Sequence, residues 1–181
     1  SILYIIDFGL CKKYRSSKTG KHILPKMTGK FNGNFHYCSQ YVIKGKESSR
    51  RDDIISLGYL LIYLLKRELP WTNVVNKKVD RAKYYEIVYL KETDGCGSLF
   101  KNIPEDLATF FKYSKKLKFE EEPNYLYLRS LLNNILLNQN FNKNLSFSWI
   151  DSNNKKLLKM PNSHSKRKSS PFMRILKSIR I

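Results

Sequence analysis

The chain has 181 residues, 41% of them hydrophobic and 13% aromatic, which is enough to bury one domain or lobe and too rich for an intrinsically disordered chain. Lys and Arg number 34 against 15 Asp and Glu, a formal charge of +19. The longest apolar run, Ile54 to Leu65, is far short of the ~20 residues that span a bilayer, and no secretory leader pattern opens the chain. Cys11, Cys38 and Cys96 are too few and too widely spaced for a disulfide framework or a Cys-x-x-Cys metal knuckle. The expectation is a reduced, soluble, intracellular protein, cytoplasmic or nuclear.

Leu3-Tyr4-Ile5-Ile6 is a short apolar, β-branched run that reads as a buried strand. Residues 10–48 hold eight Lys and four Gly with no periodicity, and a loop of that length inside a compact domain is usually functional. Ser48-Ser49-Arg50-Arg51-Asp52-Asp53 then carries a capping residue and first-turn acids into a helix apolar on nearly every face, expected to be buried all round and stopped by Leu69-Pro70-Trp71. Lys78 to Leu90 is a further expected helix, with Val79, Ala82, Tyr85 and Tyr89 at helical spacing. Pro104, followed by Glu105 and Asp106, opens another whose core face is Leu107, Phe110, Phe111 and Leu117. After Pro123, a last stripe runs through Tyr125, Leu128, Leu131, Leu132, Ile135 and Leu136. From about Asp151 the chain is polar and basic, with nine Lys or Arg and no acid over residues 152–181, and it reads as a mostly disordered tail. Within it, Lys166-Arg167-Lys168 and the segment 171–181 could meet a polyanion or an acidic membrane surface.

The sharpest chemical feature is Asp7-Phe8-Gly9. A carboxylate at a strand-to-loop turn can hold a divalent cation against phosphate oxygens, with Phe8 packing inward to set its position. The second is Asp53-x-x-Ser56-x-Gly58, with Asp53 at a helix N-terminus where a buried carboxylate can accept backbone N–H groups. Together the two motifs resemble the activation segment and central helix of a protein kinase C-terminal lobe.

The resemblance becomes specific over residues 3–150. Ile5 to Arg15, Ser49-Arg50-Arg51-Asp52-Asp53, Ser56-Leu57-Gly58-Tyr59, Leu69-Pro70-Trp71, Lys83-Tyr84, Tyr125-x-Tyr127-Leu128-Arg129 and Phe147-x-Trp149 are similar to the casein kinase I family. The implied fold is mainly α: a kinase-like helical C-terminal lobe with one short initial strand and a long activation segment, the N-terminal lobe being absent. Residues 1–150 would be a partial kinase domain and 151–181 the tail. The resemblance implies that Asp7 binds Mg2+, that Phe8 and Gly9 complete the ATP-facing motif with Gly9 as pivot, and that Asp53 braces the catalytic loop. It places Lys12, Arg81 and Lys83 in a surface reading acidic or phosphorylated protein substrates, with His36 where the family has an arginine.

The chain departs from the family in two ways. It holds no Gly-rich loop, no paired strand lysine and no His-Arg-Asp catalytic loop, so most ATP contacts and the catalytic base are not in it. Asn32 to Tyr41 also differs from the family's Thr-Gly-Thr-Ala-Arg-Tyr-Ala-Ser-Ile-Asn, and His36 carries only partial charge near neutral pH. Glu47 is expected to pair with Arg129. The leading reading is a piece of a casein kinase I-like serine/threonine kinase, inactive alone and completed by its N-terminal lobe. Two other classes stay open: a truncated pseudokinase that binds proteins, and a basic binder of nucleic acid or membrane.

Overall fold

A computed structural model describes residues 4–31 and 33–138. The tail, Phe147-x-Trp149 and the family-altered Asn32 lie outside the described residues. The described chain is helical, in the order α1 (Gln40–Ile43), α2 (Arg50–Lys66), α3 (Thr72–Val75), α4 (Arg81–Glu92), a 3₁₀ turn (Ser98–Phe100), α5 (Glu105–Lys116) and α6 (Tyr125–Asn138). No helix among the described residues is long and apolar enough to cross a membrane.

The central helix α2 follows its sequence signals closely. Asp52 at its third position accepts the Ser49 N–H at 2.8 Å, satisfying a donor that the helix itself leaves open. At the other end Arg67 takes a left-handed conformation (φ 68°) and returns its N–H to Tyr63 O. Ile55, Tyr59, Leu61 and Ile62 are fully buried, whereas Ile54, Leu57, Leu60, Leu64 and Leu65 are half-buried, so the helix enters the core on one face rather than being buried all round as expected. Gly58 lets α5 lie against it: a Cβ there would stand 2.5 Å from the Phe111 ring. Leu107, Phe110, Phe111 and Leu117 are buried as their spacing predicts, and α6 closes the far side with Leu128, Leu131, Leu132 and Ile135. At the centre the Tyr59 ring meets Trp71 edge-on at 4.8 Å and Phe111 at 4.7 Å.

Three further expectations are corrected. The initial strand does not form: Tyr4, Ile5 and Ile6 are 74–83% exposed, because no described segment offers the backbone groups a strand must pair with. Phe8, expected to pack inward, is 65% exposed for the related reason that no apolar residue covers it. In α4 the apolar stripe is out of phase. Ala82, Tyr85 and Tyr89 face solvent, while Ile87, Val88 and Lys91 are buried and Tyr84 is half-buried. The helix also begins later than expected, at Arg81, because Asp80 caps it by accepting the Lys83 N–H at 2.9 Å.

Candidate active site

The long loop between Leu10 and Ser48 carries the candidate chemistry, and its shape comes from bonds that fasten it to the helices. Two isolated antiparallel bridges, Arg15 to His22 and Met27 to Lys46, fold it back on itself. Its first and last parts are joined by Glu47, which is 3% exposed and pairs with Lys12 and, at 3.7 Å, with Lys26. Hydrogen bonding from Lys12 holds the Glu47 carboxyl below the usual carboxylate range, against the opposing effect of burial. The expected Glu47–Arg129 pair is absent: Arg129 is exposed on α6 and Glu47 already has two nearer cations.

The middle of the loop is fastened to the core. Ser39 caps α1 by accepting the N–H groups of Tyr41 and Val42 and donates its own hydroxyl to the buried Asp52 carboxylate. Trp71 Nε1 donates to His36 O at 2.9 Å, and Tyr84 Oη donates to Ile43 O at 2.9 Å. Lys91, with no exposed surface, donates Nζ to His36 O (3.1 Å) and Cys38 O (2.9 Å). Its ammonium lies 4.3 Å from the Tyr59 ring centre and 4.1 Å from that of Trp71. Burial pulls its pKa down to about 7, opposed by Cys38. Burial also pushes the Cys38 thiol up, so it is protonated and inert at neutral pH.

Asp7 and Asp53 meet in one cleft of about 300 Å3, whose wall includes Lys12, Lys13, Ser49 and Arg50. Asp7 adopts a left-handed backbone (φ 64°), a conformation Asp tolerates better than most residues, and its Oδ1 accepts the Gly9 N–H at 3.2 Å. Cys11 N–H closes the following turn on Phe8 O at 2.9 Å. This turn aims the carboxylate into the cleft without strand support. A family model for the protein kinase domain matches residues 2–156.

The chain belongs to the protein kinase domain family.

Protein kinases transfer a phosphoryl group from ATP with Mg2+, and the kinase carboxylate that holds the metal is the one in Asp-Phe-Gly. Asp7 fits that task as one hard oxygen ligand, which suffices for Mg2+ when phosphate oxygens and water complete the shell. No cluster of three or more His, Cys, Asp or Glu side chains exists among the described residues, so a cation held by Asp7 would need phosphate oxygens and water to complete its shell. Asp53 is placed differently from its expectation. The buried carboxylate that accepts backbone N–H at the head of α2 is Asp52, whereas Asp53 is exposed at the cleft. Although Asp53 keeps solvent-exposed surface, the cleft walls partly desolvate it, and that effect first and the Asp52 charge second push its carboxyl up.

The four expected anion-reading residues do not gather in one place. Arg81 and Lys83 open α4, Lys83 bonding Asp80 at 3.0 Å and Lys78 O at 2.9 Å, with Arg81 over the Tyr85 ring at 5.9 Å. His36 lies against Trp71 and Lys91, the latter in the last turn of α4, at the other end of that helix. Its ring is hydrogen-bonded toward Asn76, the residue that closes α3. Burial first and the Lys91 charge second lower its pKa, so its ring is neutral at pH 7. Lys12 is elsewhere, committed to Glu47. Asp52, Ser39 and Lys91 escaped the sequence reading. Only the Ser49-x-x-Asp52 spacing of a capping box was there to flag Asp52, and nothing flagged a lysine that would be buried.

Proposed function

We propose that the chain is the activation-segment and helical-lobe portion of a serine/threonine kinase of the casein kinase I type. The observation that carries this reading is the turn at Asp7 sharing a cleft with Asp53 at the head of α2, within a kinase-family match. ATP with Mg2+ supplies the transferable γ-phosphoryl group and the metal charge. In the chain itself, Asp7 holds the metal-facing oxygen and Gly9 N–H orients the Asp7 carboxylate. Asp53 presents a carboxyl to the catalytic loop that passes above it. The segment from His36 to Ile43, tied down by Trp71, Lys91, Asp52 and Tyr84, presents a protein substrate in a fixed position. Arg81 and Lys83 favour acidic or phosphorylated substrates. A neutral His36 weakens any demand for a priming phosphate, so acidic side chains are the better-matched recognition signal.

The test is transfer of labelled γ-phosphate from ATP to casein, by the protein at its length in native cells and by the 181-residue chain alone. The reading expects transfer by the first, its abolition by Asp7→Asn, and none by the second, which has no His-Arg-Asp base. Transfer by the 181-residue chain, or unchanged transfer after Asp7→Asn, refutes it. A cellular protein of 21.4 kDa that binds no ATP would point to a lobe that binds partners, a reading favoured by the altered sequence from Asn32 to Tyr41.

A further inference from the structure

The ribbon pairing residues 26–28 with 45–47 supports a second cleft of about 330 Å3 that shares no lining residue with the Asp7 cleft. Its cations are Lys26, Lys46 and Arg51, and Glu47 is its one acid. Pro25, Met27 and Phe119 supply an apolar wall. Arg51 is largely buried, its guanidinium 3.7 Å over the Tyr41 ring and 5.7 Å from that of Phe119. One of its terminal nitrogens donates to Leu117 O at 3.4 Å, while Nε is buried with no hydrogen-bond partner. Asp52, 3.7 Å from that Nε, is already engaged by Ser39 and Ser49. The planar fork is therefore held in place with donors to spare.

Lys46 is fixed from its backbone. Glu47 N–H donates to Lys26 O and Thr28 N–H to Gly45 O, both at 2.8 Å, which sets Lys46 opposite Met27. The Lys46 side chain is exposed and has no ion pair among the described residues. Glu47 does not reverse the sign of the cleft, because Lys12 from outside it is the closer of its two cation partners and neutralises that carboxylate. A cationic ligand would meet three positive groups against one compensated acid.

We propose that Lys46 and Arg51, with Lys26 at the rim, form a subsite for a phosphoryl dianion, separate from the Arg81 and Lys83 face. Two charge-assisted bonds from a pre-set guanidinium and an unpaired ammonium suit a tetrahedral dianion, and the Met27 and Phe119 wall suits the carbon chain of its carrier. The inference does not depend on the phosphoryl-transfer reading, since it uses neither Asp7 nor Asp53.

The experiment titrates inorganic phosphate, and separately O-phosphoserine, into the full chain at low salt, following backbone amide shifts by NMR. Saturable shifts at Met27, Lys46 and Arg51 are expected. Lys46→Ala should weaken binding about tenfold. Arg51→Lys, which keeps the charge but loses the fork, should weaken it less, and Lys101→Ala on a distant exposed surface should leave it unchanged. Tighter binding of phosphoserine assigns the group to a carrier side chain, and equal or weaker binding assigns it to a free small anion. Either supports the subsite. Shifts that never saturate, that leave residues 26–51 untouched, or that respond equally to Lys46→Ala and Lys101→Ala overturn it.

Discussion

Replacing Lys91 by Met tests whether a charged amine is really what holds the loop around His36 and Cys38 to the core. Methionine keeps most of the volume and removes the titrating group. A pKa of about 7 in the folded protein against 10.5 in the unfolded chain means the unfolded state binds more protons between those values. Stability of the native protein must therefore rise with pH from about 7 towards 10.5, at up to about 1.4 kcal/mol per pH unit. Below pH 7 the full penalty for burying the ammonium applies, on the order of 5 kcal/mol before the ring contacts to Tyr59 and Trp71 offset part of it. In Lys91→Met, His36 O keeps its bond from Trp71 Nε1, while Cys38 O loses the donor it has, a cost of about 1–3 kcal/mol. The two variants should thus be similar in stability near neutral pH. From pH 7 to 9.5 the wild type should gain roughly 3 kcal/mol relative to the mutant, since only its Lys91 titrates across that window. Urea unfolding followed by circular dichroism, under reducing conditions at several pH values, reads this difference directly. Titrating groups remote from Lys91 are common to both proteins and cancel in the comparison, leaving Lys91 with its coupled neighbours His36 and Cys38. Parallel stability curves from pH 7 to 9.5 would refute the assignment of a depressed pKa to this lysine.

Glu47→Gln removes the clasp between the two ends of the loop and should destabilise by about 1–3 kcal/mol at pH 7. Because the folded pKa of Glu47 is lowered from 4.5, that contribution is complete above pH 4.5 and disappears as pH falls through the folded value. Melting temperatures of the two proteins should converge in acid, and a gap that persists there would contradict the ion-pair account. Gly58→Ala sets a methyl 2.5 Å from the Phe111 ring and should cost about 1–3 kcal/mol, with partial recovery in the Gly58→Ala, Phe111→Leu double variant. A Gly58→Ala protein of unchanged melting temperature would mean that α2 and α5 do not pack this closely. Asp52→Ala strands Ser39 and Ser49 and should lower stability by about 2–4 kcal/mol, whereas Asp53→Ala, at an exposed position, should cost under about 1. Thermal melts of the pair decide which acid is structural, and equal losses would undo that distinction.

The helices α2, α5 and α6 were legible because their caps and apolar spacing are local properties of adjacent residues. Ser49 with Asp52, Pro104 with Glu105, and the Leu107 and Leu128 stripes each carry their own instruction. Helix α4 was legible as a helix but not in its orientation. Tyrosines and apolar residues occupy several of its sides, and its inward face depends on which neighbours surround it, among them Ile43 and Trp71. The kinase motif at Asp7 could likewise be read directly, since a left-handed turn closed by Gly9 N–H needs only three consecutive residues.

What no local pattern contained were the pairings made across many residues. Lys12 with Glu47, Ser39 with Asp52, and Lys91 with the carbonyls of His36 and Cys38 each join groups 13 to 55 residues apart. Each arises because a charge or hydroxyl removed from water by packing must find the nearest compensating group, whichever part of the chain supplies it. Local spacing thus determined the helices and made the Asp7-Phe8-Gly9 motif legible. Tertiary structure alone decided which of two adjacent aspartates was buried, and which lysine left solvent to bind the loop to the core.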